Sequence, residues 1–440
     1  VSTPRTLNRD ILRLAVPALG ALIAEPLFLI VDSALVGHLG VVPLAGLGIA
    51  SAVLQTIVGL MVFLAYSTTP AVARRFGAGD PSRAVSAGID GMWLALGIGA
   101  VLAGVGSVTT PFLVGLFGAG PEVAAQAEIY LGLSMWGLPA MLIVFAATGL
   151  LRGMQDTVTP LWIAGLGFAA NAVLNWLLIY GLGWGIAGSA AGTVLAQWAM
   201  VGAYVVVIGR LARRHSASVR PQRAGVAGSA RSGGWLFLRT LSLRVALLAT
   251  VGVATGLGTG ELAGWQVVFT IFSTTAFALD ALAIAAQALV GKGLGAGEEP
   301  FVRRVLGRTV AWGAWFGVSV GAAVAALSGV IGIVFTGDAA LAALIQPALL
   351  ILAVAQPICG IVFVLDGVLI GAGDGRYLAV AGVLNVVVFA PALAAVALFA
   401  PAGWAGLAWL SVAFFGVYML ARLGTLGWRV RGTGWMTAGA

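Results

Sequence analysis

Acidic side chains are the chemically capable groups in an otherwise very apolar chain. The stretch AEPLFLIVDSALVGHLG, residues 24–40, carries Glu25 and Asp32; Asp280 and Asp366 fall in later apolar runs, with Asp90 nearer the edge of another. Inside a membrane helix an ionisable group costs about 2.5–3.5 kcal/mol, so each needs a reason to be there. Glu25 and Asp32 are seven residues apart, which on a helix leaves them about 20° apart in azimuth and roughly 10 Å apart along one face. Counting heights at about 1.5 Å per residue brings Asp32, Asn175 and Thr193 to similar depth, with Asn171 and Gln197 somewhat lower. A carboxyl group among amides and hydroxyls holds a proton while dry and sheds it when water arrives, which suits proton coupling. Pro17 and Pro26 interrupt the same first run; each removes one backbone hydrogen bond and crowds the carbonyl four residues back, so this helix can bend.

Plainer readings stand beside that one. Asp32 could sit solvated near the outer interface, with the amides acting as glue between helices. Asp366, closer to its inner loop, fits a structural pairing as well as a transport role, whereas Asp280 lies deeper. Glu25, Gln197, Asp280 and Asp366 are therefore candidates for contact with a substrate.

Other chemistry is poorly represented. GKGLGAGE, residues 291–298, lacks phosphate-loop spacing and closes an apolar run, so it reads as a turn. There is no HExxH motif, and His38 with His215 cannot form a clustered metal site or a hydrolase centre at membrane depth. Cys359 is the only cysteine, which excludes an intrachain disulfide and suits packing. No cofactor or metal is expected, and nothing here splits ATP.

The elements that must position these residues follow from composition. Of 440 residues, 60% are hydrophobic and 9% charged, and the mean hydropathy of +1.06 places the chain outside soluble usage. Apolar runs of about 20 or more residues predict membrane helices, not the short alternating strands of a barrel. Helices are predicted at residues 11–36, 46–74, 84–117, 122–149, 157–181 and 186–210. Six more are predicted at 235–257, 262–291, 301–334, 339–371, 376–398 and 403–428. The N-terminus lacks a cleavable signal, so the first run is expected to stay as a helix.

With loops numbered from a cytoplasmic N-terminus, all 23 lysines and arginines fall on one side, so both termini are expected in the cytoplasm. The net charge of +8 is thereby a topology signal, and no nucleic-acid partner is expected. Residues 213–234, RRHSASVRPQRAGVAGSARSGG, read as a polar cytoplasmic linker between lobes at 1–212 and 235–440.

The two halves repeat at an ungapped offset of 218 residues. Leu44, Ala45 and Gly46 match Leu262, Ala263 and Gly264; Gly77, Ala78 and Gly79 match Gly295, Ala296 and Gly297; Pro139, Ile143, Val144, Phe145 and Gly149 match Pro357, Ile361, Val362, Phe363 and Gly367. Six helices per half bring the chain back to the same side, so the repeats are expected to be parallel, as in secondary transporters.

VDSALVGHLG followed by LAGLGIAS, GLLRGMQDTVTP, NAVLNWLLIYGLGWGIAGSAAGTVLAQ, LDALAIAAQALVGKGLGAGE and DGVLIGAGDGRY occur in this order over nearly the whole chain. Together they resemble multidrug and toxic compound extrusion (MATE) transporters of the DinF-like branch. The resemblance implies twelve helices in two lobes and exchange of protons or sodium ions for organic, often cationic and amphipathic, compounds. It places Asp32 at the protonation site of the first helix, Asn171 and Thr193 among its polar partners, and Pro17 at a bend. Two departures stand out: Asn175 occupies a position where many DinF-like members have a second aspartate, and FLRTLSLRVALLATVGVATG lacks the glutamate of the NorM-like branch.

The expectation is an all-α multi-pass protein of the cell membrane, a monomer and not an enzyme. It exports small organic compounds by proton-coupled alternating access, with sodium second as coupling ion and membrane lipid as its surroundings. A flippase for a lipid-linked precursor would want a more basic cleft than these buried acids provide. An integral membrane enzyme or sensor would need a catalytic constellation or soluble domain that the sequence lacks.

Overall fold

In the computed structural model, which describes residues 4–335 and 339–439, every regular element is helical. Twelve helices are long and apolar enough to cross a membrane. In the first half they are α1 (Pro4–Gly37), α2 (Val41–Gly77), α3 (Pro81–Gly115), α4 (Pro121–Gly153), α5 (Val158–Gly181) and α6 (Ile186–Arg214). The second half has α7 (Arg223–Leu257), α8 (Thr259–Gly295), α9 (Glu299–Phe335), α10 (Ala339–Gly371), α11 (Gly375–Phe399) and α12 (Trp404–Arg431). Large apolar side chains such as Val108, Val334 and Val354 are 75–82% exposed, a surface that needs lipid for a solvent.

Local chemistry sets the helix ends. Asp80 caps α3, its carboxylate accepting from the Arg83 N–H at 2.9 Å, and Pro81 follows in the first turn, where a missing N–H costs nothing. The repeated Gly-Ala-Gly turn closes α2 and α8 alike. Gly79 and Gly297, equivalent by the repeat offset, both take left-handed φ values, 81° and 71°, which a side chain would disfavour. Helices α4, α5 and α12 are not uniform. A 3₁₀ step at Met135–Gly137 interrupts α4, and π turns occupy Leu177–Gly181 in α5 and Val412–Tyr418 in α12.

The chain divides into two compact units, Val16–Gly233 and a second made of residues 1–15 with Gly234–Gly439. The first holds two buried clusters. One gathers Val36, Leu47, Tyr130, Leu131, Ile179, Ile186 and Ala190; the other gathers Val72, Val85, Leu150, Tyr204 and Ile208. The second unit is built around aromatic rings: Trp265, Phe272, Phe389, Phe414, Phe415 and Tyr418, with ring centroids 5.1–6.2 Å apart and many edge-to-face. Most of the observed helices run past at least one predicted end by a few residues, their amphiphilic ends continuing the backbone ladder beyond the apolar core of the run, whereas α10 keeps its predicted bounds and α3 stops two residues short of its predicted end.

The largest difference from the sequence reading is the linker. It is helical from Arg223 onward, and residues 216–222 are tied down along α3. Ser82 donates to the Ser216 carbonyl at 3.3 Å, and the Ser218 N–H donates to Ser86 at 3.1 Å. The Gln222 N–H donates to Asp90 at 2.8 Å, and the Trp93 indole donates to the Val219 carbonyl at 3.1 Å. Residues 82, 86, 90 and 93 recur at helical spacing, so they form one stripe along α3. Asp90 thereby anchors backbone, and Gly225 packs directly against its carboxylate.

Replacing Asp90 with Ala takes the acceptor from the half-buried Gln222 N–H, at a cost of about 1.5–3 kcal/mol for a charge-assisted bond. Limited trypsin digestion should then cut after Arg223 about tenfold faster than in the parent protein, since cleavage follows local opening. Equal rates would show that the tether does not hold the segment.

Candidate functional site

Asp32 lies on α1 within the first unit and is 3% exposed. Its carboxylate accepts three hydrogen bonds, one each from α4, α5 and α6. Tyr130 Oη donates to Oδ2 at 3.1 Å; Asn175 Nδ2 and Ser189 Oγ donate to Oδ1 at 2.8 and 2.5 Å. All three donors are buried. A second polar pair adjoins the first, with Asn171 Nδ2 donating to Thr193 Oγ1 at 3.0 Å. Tyr130 interacts with Thr193 and Ser189 as well as Asp32, and so bridges the two groups.

Small residues make this convergence possible. Gly188 and Gly192 are one turn apart on α6; a Cβ on Gly188 would collide with the Leu178–Ile179 backbone of α5, and one on Gly192 would strike the Asn175 amide oxygen and crowd the Leu174–Asn175 backbone. Backbones in close approach let the short side chains of the next residues, Ser189 and Thr193, reach across. The π turn at Leu177–Gly181 begins two residues after Asn175, a position at which such widened turns re-aim the end of a helix. The C-terminal end of α1 is fixed from the same side. Tyr180 donates to the Leu35 carbonyl at 2.5 Å, and the Phe28 and Phe168 rings stack at 5.2 Å.

Of the residues singled out from sequence, Asp32 and Asn175 touch, and Asn171 and Thr193 touch beside them. Gln197 sits one turn further along α6, half-buried against Gly137 of the 3₁₀ step in α4. Pro17 and Pro26 lie inside the continuous helix α1. The Glu25 side chain lies outside the described residues. Asp280 is half-buried on α8, in the other unit. Asp366 of α10 is engaged by Arg239 of α7, in direct contact, and by Arg422 of α12 at 3.2 Å.

Two members of the site were not picked out from the sequence: Tyr130 and Ser189. Ser189 precedes Thr193 by one helical turn and repeats its glycine-flanked setting, which is a readable signal. Tyr130 offers only its aromatic hydroxyl in an apolar stretch of α4. Among the described residues no group of three or more His, Cys, Asp or Glu side chains could hold a metal ion.

A single dry carboxylate, met by neutral donors from three other helices of a duplicated twelve-helix protein, marks a multi-pass membrane transporter. The MatE family matches residues 17–177 and again residues 236–396, one match in each repeat, and the chain belongs to this family of multidrug and toxic compound extrusion transporters. Over 382 residues it is 31% identical to Protein DETOXIFICATION 44, chloroplastic, of Arabidopsis thaliana, spanning 84% of this chain and 73% of that protein. It is 29% identical over 303 residues to DNA damage-inducible protein F of Escherichia coli K12, spanning 66% of this chain and 64% of that one. Its fold resembles the crystal structure of the Vibrio cholerae MATE transporter VcmN in the bent form. The TM-score is 0.87 at 20% identity, covering 97% of this chain and 98% of the other.

The Ser189 bond can be weighed by a double-mutant cycle of Ser189→Ala and Asp32→Asn, read by thermal unfolding in detergent. A hydroxyl donating to an ionised carboxylate should give a coupling energy of about 1.5–3 kcal/mol. A coupling near zero would mean that Ser189 does not hold Asp32.

Proposed function

We propose that this transporter uses Asp32 as a proton carrier to drive export of organic, often cationic and amphipathic, compounds across the cell membrane by alternating access. The observation that carries this reading is the buried carboxylate with three converging donors. As arranged, the site suits the ionised form, since every neighbour gives a hydrogen and none takes one. Protonation would ask for an acceptor, and one is at hand: Asn175 Oδ1 is buried and makes no hydrogen bond. Rotation of the Asn175 amide and of the Ser189 and Tyr130 hydroxyls would turn a donor-lined site into one that suits a carboxylic acid. That rewiring moves the contacts holding α1 to α4, α5 and α6, which is the way a proton on one atom could bias a helix containing Pro17 and Pro26.

The same chemistry argues for protons over sodium. A hard cation collects oxygen lone pairs, whereas the groups around Asp32 present N–H and O–H to it. The acid of the second unit, Asp366, is already held by two guanidinium groups. Inward proton movement releases about 2.3 kcal/mol per charge per 100 mV, enough for a concentration ratio of a few tens for a neutral substrate. A departing monocation makes the exchange electroneutral, leaving only the pH gradient. The one-sided placement of all 23 basic residues supports cytoplasmic termini.

Efflux of cationic dyes from proteoliposomes with imposed pH or sodium gradients tests the reading. A pH gradient should drive efflux by the parent protein and a sodium gradient should not, while Asp32→Asn should insert normally and lose at least tenfold of the pH-driven rate. Undiminished efflux by that variant would reject Asp32 as the carrier; sodium-driven efflux by the parent would reject the proton.

A further inference from the structure

One basic patch of the second unit takes no part in the proton scheme. Along α9, Arg304, Arg308, Trp312 and Trp315 recur at helical spacing, which keeps all four within about 80° of azimuth. The opposite side of this helix is the packed one. Val302, Thr309, Gly313 and Gly317 are buried there, and a Cβ on Gly313 or Gly317 would strike the α10 backbone at Gly360 or Gln356. The stripe of arginines and tryptophans therefore turns away from α10. Arg304 and Arg308 are exposed, Trp312 is half-buried and Trp315 is 71% exposed.

The stripe is also sorted by height. At about 1.5 Å per residue, Trp315 lies roughly 10 Å beyond Arg308 into the apolar run, and Arg304 about 6 Å before it. Guanidinium groups at the rim with indoles one or two turns deeper match the two levels of a phospholipid, phosphate above and glycerol esters and acyl chains below. The leading segment of α1, whose residues 1–15 belong to the same unit, lies alongside. Asn8 Oδ1 accepts from Arg308 Nε at 2.7 Å, which orients the guanidinium and uses none of its Nη donors; the same group stands 6.0 Å from the centre of the Trp312 ring. Acids are kept off this side. Glu299 falls about 140° round α9 from Arg304, and Asp10 about 160° round α1 from Asn8. Among the described residues no carboxylate lies within ion-pair distance of Arg304 or Arg308.

We propose that Asn8, Arg304, Arg308, Trp312 and Trp315 form a binding site for an anionic phospholipid in the leaflet that borders the basic loops. The phosphate accepts from Arg308 and Arg304, and the glycerol esters and acyl chains lie along Trp312 and Trp315. A zwitterionic lipid offers the same phosphate but brings a cation that two guanidinium groups repel, so a headgroup of net negative charge is preferred. A free phosphate would use the arginines and leave the tryptophans idle. The bound lipid joins the leading segment of α1 to α9 just ahead of Pro17, and the assignment needs nothing from Asp32.

The test uses the whole 440-residue chain in detergent, offered equal amounts of dioleoyl phosphatidylglycerol and dioleoyl phosphatidylcholine and read by native mass spectrometry. Each basic side chain near a membrane surface is worth a factor of about five, so the parent protein should retain phosphatidylglycerol in preference by about fivefold or more. Arg304→Gln and Arg308→Gln should each lower that preference about fivefold. Arg303→Gln makes the same change of charge about 100° off the stripe and should leave the preference unchanged. Trp315→Ala should weaken retention of phosphatidylglycerol while the preference over phosphatidylcholine persists. No preference in the parent protein, or a loss in Arg303→Gln equal to that in Arg308→Gln, would overturn the site, the latter by showing diffuse attraction. Displacement of the lipid by an equal concentration of soluble glycerol phosphate would overturn the lipid as its ligand.

Discussion

The fold of the first unit is organised around one requirement: a carboxylate removed from water must be given hydrogen bonds by the protein itself. Asp32 is 3% exposed, and an unmet charge at that depth would be untenable. Three donors must therefore arrive from three different helices, and each arrival constrains its helix. The Gly188 and Gly192 stripe brings α6 against α5; the π turn after Asn175 re-aims the end of α5; Tyr130 sets α4. The surrounding apolar cluster, with Val36, Leu131, Ile179 and Ala190, closes over the polar group and keeps it dry. Packing and electrostatics thus make one arrangement, because the residues that exclude water are neighbours in sequence of those that replace it.

Duplication makes the division of labour visible. Adding the repeat offset of 218 to Asp32, Tyr130, Asn171, Asn175, Ser189 and Thr193 leads to Thr250, Ala348, Phe389, Leu393, Leu407 and Ser411. Only two hydroxyls survive there, and both bond back to their own helices: Thr250 to Ala246 and Ser411 to Leu407. Phe389 joins an aromatic core instead. The reverse holds for the ion cluster. Subtracting the offset from Asp366 and Arg422 gives Thr148 and Tyr204, whose hydroxyls share a neutral hydrogen bond of 2.8 Å. Each lobe has kept charge at one of two equivalent places and replaced it with apolar or neutral groups at the other.

The sequence made the twelve helices legible because long apolar runs admit few other structures, and it made Asp32 legible because an acid in such a run is conspicuous. Asn175, Asn171 and Thr193 were found by height along straight helices. Tyr130 escaped that count: it lies on a helix broken by the 3₁₀ step at Met135–Gly137, and it offers one hydroxyl on an aromatic ring. The convergence of Arg239 and Arg422 on Asp366 was hidden for another reason. Basic residues near helix ends read equally well as markers of topology, and these three are separated by 127 and 56 residues in the chain. The docking of the linker was unreadable for the same cause, since Ser82, Ser86, Asp90 and Trp93 form a binding stripe only once a partner backbone lies alongside.

The division between the compact units does not follow the ends of the repeats. It falls between Ala15 and Val16 inside α1, and between Gly233 and Gly234 inside α7, positions that the repeat offset places in register. The leading helix of each repeat therefore begins as part of the opposite unit. An ancestral six-helix chain of this design, before duplication, would have been incomplete by itself and whole as a pair that traded leading segments. On that view the fusion of two copies joined a swapped pair into one chain and freed its lobes to diverge, one around the buried Asp32 and the other around Asp366.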